Sequence, residues 1–196
     1  MKVGCLFGTF DPPHRGHLQV AEWMRDHMGL DEVWFMVTPQ NPFKLGHPLS
    51  PEEDRLHMVQ LAILGRRGLK ASDLEFALPR PSYTVDTLAC LRTLYPDHSF
   101  ALLMGGDNLL GFSRWKGPLE ILAHHRVLVY PRPGGAGITS VDPAIRAHTN
   151  LVFTEAPLMD VSATEIRDLL ANGQGVGDRV PVSVQAYIRD RQLYTA

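Results

Sequence analysis

One stretch near the start of the chain constrains its fold more than any other: Gly8-Thr9-Phe10-Asp11-Pro12-Pro13-His14-Arg15-Gly16-His17-Leu18. The apolar run Val3 to Phe7 leads into it and reads as a buried strand. Leu18, Ala21, Met24 and Met28 lead out of it at spacings of three and four, the stripe of an amphipathic helix. Neither period can continue between them. Gly8 frees the backbone, Asp11 favours a turn, and Pro12 with Pro13 breaks any helix. Strand, glycine-bearing turn and helix together make a phosphate site. The first N–H groups of a helix have no intrahelical acceptor, and its dipole is positive at that end.

His14 and His17 stand three apart at this helix start, a spacing that puts helical side chains on one face. Imidazoles there can donate to phosphate oxygens, and Gly16 leaves room for close approach to the backbone. Two other readings compete: a surface turn with incidental histidines, and a metal site from Asp11, His14 and His17. Agreement of strand, turn and helix favours phosphate.

A chain of 196 residues suits one α/β domain over 1–196, with a helical part from about 160 to 196. Apolar residues make up 44%, enough for a sizeable core. Nineteen basic against 21 acidic residues give a net charge of −2, with no pull toward nucleic acid or an acidic membrane. No apolar run of membrane length and no leader pattern appears, so the cytoplasm is the expected compartment. Cys5, in a core strand, and Cys90, on a helix, are expected to be reduced thiols. Homo-oligomer formation is left open.

Further along, Glu32 to Thr38 reads as a strand, and the Pro-rich stretch 39–48 as a loop leaving its carboxyl end. Lys44 is that loop's one Lys or Arg, and solvation or a phosphate contact suits it equally on spacing. Ser50, Pro51 and Glu53 form a capping-box pattern before a helix whose stripe is Leu56, Val59 and Ile63, with Arg55 and His57 on the polar faces. Lys70 to Phe76 reads as a strand. Pro79 to Thr84 is a ligand-side loop, and Ser82 or Thr84 is a cap for the helix carrying Val85, Leu88, Leu91 and Leu94.

Ser99 to Met104 is a strand running into Gly105-Gly106-Asp107-Asn108, where glycines allow close approach and Asp107 offers a carboxylate to ribose hydroxyls. Trp115 follows a short helical piece, placed to stack on a heteroaromatic ring or to pack in the core. Leu119 to His124 is helical, and Arg126 to Tyr130 and Leu151 to Thr154 are strands. The loop from Pro131 and the aperiodic stretch to Asn150 are expected to be mobile. Val161-Ser-Ala-Thr-Glu-Ile-Arg167 forms a second helix start, with Ser162 and Glu165 as a capping box and Ser162 and Thr164 as hydroxyl donors. Arg167 lies one turn in, able to reach an anion with its planar fork. Pro181 to Tyr194 reads as a terminal helix with Val184, Tyr187 and Ile188 inward.

Taken in order, these motifs resemble the nicotinate mononucleotide adenylyltransferases of the His-x-Gly-His nucleotidylyltransferase superfamily. The likeness rests on Gly8-Thr-Phe-Asp-Pro-Pro-His-Arg-Gly-His17, Ser82-Tyr83-Thr84, Gly105-Gly-Asp107, Trp115, Arg132-Pro-Gly and Ser162-Ala-Thr-Glu-Ile-Arg167. Phe7 stands where most of that family has a glycine. The related pantetheine-phosphate enzymes usually carry Thr at the place of His14.

The resemblance implies a doubly wound α/β sheet and direct adenylyl transfer from ATP to nicotinate mononucleotide, with Mg2+ accompanying ATP. It implies that His14, His17 and Arg167 are catalytic. Gly8, Thr9, Phe10, Gly16, Lys44, Gly105, Asp107, Arg132, Ser162 and Thr164 would bind ATP. Ser82, Tyr83, Thr84 and Trp115 would hold the pyridine nucleotide, and no residue would be a dedicated metal ligand. Two other classes remain: a non-catalytic nucleotide-binding module, and a redox protein of similar fold. The latter lacks a Gly-x-Gly-x-x-Gly after the first strand.

Overall fold

Residues 1–44, 46, 48–133 and 140–195 are described by the computed structural model, without the Lys44 side chain. Six strands form one sheet: β1 (Lys2–Gly8), β2 (Glu32–Val37), β3 (Leu69–Ser72), β4 (Ser99–Gly105), β5 (Arg126–Tyr130) and β6 (Leu151–Phe153). Every pairing is parallel, in the order β3-β2-β1-β4-β5-β6. The eight α-helices among the described residues are α1 (Arg15–His27), α2 (Glu52–Ile63), α3 (Thr84–Leu94), α4 (Gly106–Leu109), α5 (Pro118–His124), α6 (Pro143–Arg146), α7 (Ala163–Ala171) and α8 (Val182–Asp190). This is the doubly wound sheet expected from the sequence.

Strand alternation divides the core in two. Leu6, Val33, Phe35, Val37, Ala101, Leu103 and Leu128 face α1, α2, α7 and α8. Their neighbours Val3, Cys5, Trp34, Met36, Leu102, Met104, Val127 and Val129 face α3 and α5. Each fully buried aliphatic side chain contributes about 1.5–3 kcal/mol relative to exposure, so both faces must be covered. The two cysteines are free, and burial pushes the Cys5 thiol far above its ordinary value.

The strand order reverses beside β1. From β1 the chain winds outward to β2 and β3, then returns to place β4 on the other side of β1. A crevice opens at the carboxyl ends of strands flanking such a reversal. The Gly8 turn follows β1, and the Gly105 turn follows β4.

Several local expectations are corrected. The Lys70 to Phe76 strand stops at Ser72, whose Oγ accepts the Leu74 N–H at 3.3 Å, and a 3₁₀ turn follows at Leu74–Ala77. Arg55 is not on a polar face: it is 1% exposed. The buried stripe of α2 runs through Arg55, Met58, Val59 and Ala62, whereas His57 is exposed as expected. No side-chain cap forms at Ser50, at Ser82 or Thr84, or at Ser162; the cap positions of α2 and α3 fall to Pro51 and Tyr83. Glu165, free of a capping box, lies 3.6 Å from Arg179. The terminal helix ends at Asp190, and turns carry the chain to Tyr194. The aperiodic stretch before Asn150 contains α6, capped by the Asp142 carboxylate. The mobility expected around 134–139 falls outside the described residues.

Candidate active site

The turn after β1 is held from below. Arg55 donates from Nη1 to the carbonyls of Thr9 (2.8 Å) and Thr38 (2.7 Å), from Nη2 to Pro39 (3.2 Å) and from Nε to Ser50 (3.0 Å). It forms no ion pair among the described residues. One buried cation thus ties together the carboxyl ends of β1 and β2 and the entry to α2. Phe10 adopts φ 48, a backbone region few non-glycine residues occupy. Its buried ring, packed against Phe35 and His17, holds it there. A Cβ at Gly8 would stand 3.0 Å from that ring.

Asp11 is the joint between the first and last motifs. Its carboxylate accepts the Tyr194 hydroxyl and, at 3.3 Å, the Ser50 N–H. Its carbonyl accepts Nη1 of Arg167 at 2.7 Å, while Nη2 of Arg167 reaches Thr164 Oγ1 at 3.2 Å. Both carboxylate oxygens of Asp11 are thus engaged, by Tyr194 and by Ser50. No group of three acidic, His or Cys side chains suited to a metal occurs among the described residues.

His14 occupies the N-cap of α1, and His17 sits on its first turn. Their rings stack with centroids 3.6 Å apart. The His14 backbone N–H donates to His17 Nδ1 at 3.2 Å, so a neutral His17 carries its proton on Nε2. His14 is 3% exposed, and its Nδ1 has no partner among the described residues. Burial, and then the nearby Arg132 charge, pull its pKa down from 6.5 to about 3. The clearance at Gly16 serves this ring: a Cβ there would stand 3.1 Å from His14 Nδ1.

Arg132 leaves β5 and donates to the carbonyls of Met159 (3.3 Å) and Val161 (3.5 Å), the approach to α7. At Gly105 a Cβ would meet the Asp107 carboxylate and, at 2.9 Å, Arg132 Cγ, so any larger residue there would displace these two side chains. The result is a cavity of about 350 Å3 walled by Gly8, Thr9, Phe10, His14, Gly16 and His17 on one side. Asp107, Arg132, Ser162, Thr164 and Arg167 wall the other. Two arginines, two imidazoles and two helix starts converge on it, the surroundings a polyphosphate needs.

A second cavity, about 280 Å3, adjoins the first across Phe7 and Gly8. It holds Ser82, Tyr83, Thr84 and Trp115. Trp115 packs edge-on against Phe112, leaving the indole half-exposed, and Lys116 sits 4.9 Å over the Tyr83 ring. The Ser82 N–H donates to the Gln40 carbonyl at 3.0 Å, joining the loops after β2 and before α3.

Of the sixteen candidate residues other than Lys44, fifteen line one of two adjoining cavities; Gly105 does not, and lies behind Asp107 and Arg132. Lys44 closes the 3₁₀ turn Pro42–Lys44, and its side chain lies outside what is described. Sequence reasoning missed Arg55 and Tyr194, and in the cavity linings Glu75 and Asn108, the latter shared by both cavities. Only Arg55 left a signal, three and four residues before Met58 and Val59 on the buried period.

A family model described as cytidylyltransferase-like matches residues 5–169. A chain from Cytophaga hutchinsonii, named a probable nicotinate-nucleotide adenylyltransferase, is 44% identical over 195 residues, covering 100% of this chain and 99% of its own. A like-named chain from Bacteroides fragilis is 46% identical over 175 residues, covering 89% and 85%. Among solved structures, the Plasmodium falciparum nicotinic acid mononucleotide adenylyltransferase complexed with NaAD superposes with a TM-score of 0.79. It covers 98% of this chain and 97% of its own at 17% identity, a likeness of fold. Sequence relatives over the full length, the matching model and the shared sheet agree that this chain belongs to the cytidylyltransferase-like family, among its nicotinate-nucleotide adenylyltransferases.

Proposed function

We propose that the protein transfers the adenylyl group of ATP to nicotinate mononucleotide, giving nicotinate adenine dinucleotide and pyrophosphate in NAD biosynthesis. One observation carries the reading: a cationic, imidazole-lined cavity and an aromatic one meet over Phe7 and Gly8, so two ligands placed in them meet at the end of β1.

In this reaction a phosphate oxygen of the mononucleotide attacks the α-phosphorus of ATP. The bond from that phosphorus to the α,β-bridging oxygen breaks, and pyrophosphate leaves with the electron pair. A phosphate monoester is already largely a dianion near neutral pH, so no strong base is needed. The obstacle is aligning two anions and stabilising charge on the leaving group. His14 and His17 bind α- and β-phosphate oxygens as N–H donors. Arg167, swinging from the Asp11 carbonyl, holds the β- and γ-phosphates with Ser162 and Thr164. Arg132 and Lys44 add positive charge, and Gly105 with Asp107 receives the ribose. Gly8, Thr9, Phe10 and Gly16 shape the phosphate turn.

The donor set fits a magnesium ion that arrives with the nucleotide. The Asp11 carboxylate is engaged by Tyr194 and Ser50, and no described cluster would compete for the ion. Mg2+, held chiefly by phosphate and water oxygens, neutralises triphosphate charge when bound. No side chain need form a covalent intermediate.

The test is pyrophosphate release from ATP with nicotinate mononucleotide, nicotinamide mononucleotide and phosphopantetheine offered in parallel. Turnover with the first supports the reading. ATP binding without pyrophosphate release from any acceptor would instead mark a non-catalytic nucleotide-binding module.

A further inference from the structure

The aromatic cavity has an acid in its lining that the transfer chemistry does not use. Glu75, on the 3₁₀ turn Leu74–Ala77, is 1% exposed yet lines the cavity beside Thr38, Ser82 and Tyr83. Its Oε1 accepts the Thr87 hydroxyl at 2.6 Å, and the same hydroxyl lies 3.3 Å from the Tyr83 carbonyl. Its Oε2 is buried without a hydrogen-bond partner among the described residues. Ser82 Oγ, in the same cavity, is buried and unpartnered too. Native interiors seldom leave two such atoms together unless a ligand, water or proton completes them.

No described cation balances this carboxyl. Lys116 is engaged by Asp86, at 2.9 and 2.7 Å, and by the Tyr83 ring. Arg114 and Lys116 line the cavity without pairing to Glu75; Tyr83 lines it too, and Cys5 of β1 is held as a thiol by burial and by Glu75 itself. Burial pushes Glu75 above the ordinary carboxylate range, offset in part by the Thr87 and Thr38 hydroxyls.

We propose that Glu75 reads the charge of the pyridine substituent. Its neutral carboxyl lets a ligand carboxylate sit over the start of α3; ionised, it repels that ligand but not the corresponding amide. The inference rests on the pyridine ring occupying this cavity. Thr84 opens α3, and the first N–H groups of a helix lack intrahelical acceptors, so they suit a carboxylate. A second negative charge beneath them would compete for the same field, as two carboxylates sharing a site do.

The experiment measures kcat/KM for nicotinate and nicotinamide mononucleotides across pH 5.5–9 and takes their ratio, in which effects common to both phosphates cancel. In the wild-type protein the acid-over-amide ratio falls roughly tenfold or more as pH rises through the Glu75 titration. In Glu75→Gln, which keeps an acceptor for Thr87 but cannot ionise, the ratio is flat. A flat wild-type ratio, or an unchanged slope in Glu75→Gln, overturns the inference. Should the variant not fold, calorimetry on the wild-type protein in buffers of different ionisation enthalpy decides. Over the pH range in which Glu75 is ionised in the free protein, the acid ligand takes up more protons than the amide; equal uptake at every pH overturns it. If neither mononucleotide is used at any pH, the underlying functional reading fails instead.

Discussion

At the scale of single residues, His14 is the most displaced group of the phosphate cavity. With its pKa lowered from 6.5 to about 3, the folded chain binds fewer protons than the unfolded chain between those values. Stability contributed by the neutral imidazole is therefore complete above about pH 6.5 and is lost as pH falls toward 3. Unfolding free energies from urea titrations between pH 7 and 4 should fall by up to about 1.4 kcal/mol per pH unit from this group, and His14→Gln should flatten that part of the slope. His17 presents a different expectation. Its Nδ1 accepts the His14 N–H, so the neutral ring carries its proton on Nε2, the donor proposed for the phosphate. His17→Ala should retain the fold and lower kcat by roughly a hundredfold or more, checked by turnover beside circular dichroism. For Arg167, a point charge cannot hold both Asp11 and Thr164, nor a phosphate bidentately. Arg167→Lys should raise the KM for ATP with little change in melting temperature, and normal ATP kinetics would reduce Arg167 to a helix-surface residue.

At the scale of elements, the cavity depends on which loops are tied to which. Arg55 binds four carbonyls drawn from the ends of β1 and β2 and the entry to α2. Arg55→Met would orphan them in a buried setting, and unfolding by urea should show a loss of about 3 kcal/mol or more. A loss below about 1 kcal/mol would mean that water replaces the guanidinium. This residue also marks the limit of what could be read from sequence. The strands were legible because short continuous apolar runs such as Val3 to Phe7 and Ser99 to Met104, each ending at a glycine, suit a parallel sheet buried on both faces. The phosphate turn was legible because glycine, proline and histidine at fixed offsets constrain the backbone itself. Arg55 was misread because its charge outweighed its position, although the helical period put it with Met58 and Val59. The capping boxes were misread because short-range hydroxyl patterns compete with tertiary partners: the Ser50 N–H goes to Asp11 instead. Tyr194 and Glu75 left no signal, since their meaning lies in partners far along the chain.

At the scale of the whole molecule, the two cavities adjoin because the strand order reverses at β1. The acid mononucleotide should be preferred over the amide, because an amide NH2 would face helix-start donors, a mismatch of about 1–3 kcal/mol. Trp115→Ala should weaken both mononucleotides by removing the half-exposed stacking face while leaving their ratio intact; a changed ratio would show that the indole itself discriminates. Comparing kcat/KM values in direct competition checks both statements. The joint at Asp11 has a consequence of another kind. Its partners Arg167 and Tyr194 lie 156 and 183 positions further along the chain. A ribosome therefore synthesises the phosphate turn well over a hundred residues before the groups that brace it. Until those groups emerge the nascent chain holds half a nucleotide site, so its affinity for ATP should arrive in one step, as α7 and the turns after α8 leave the exit tunnel.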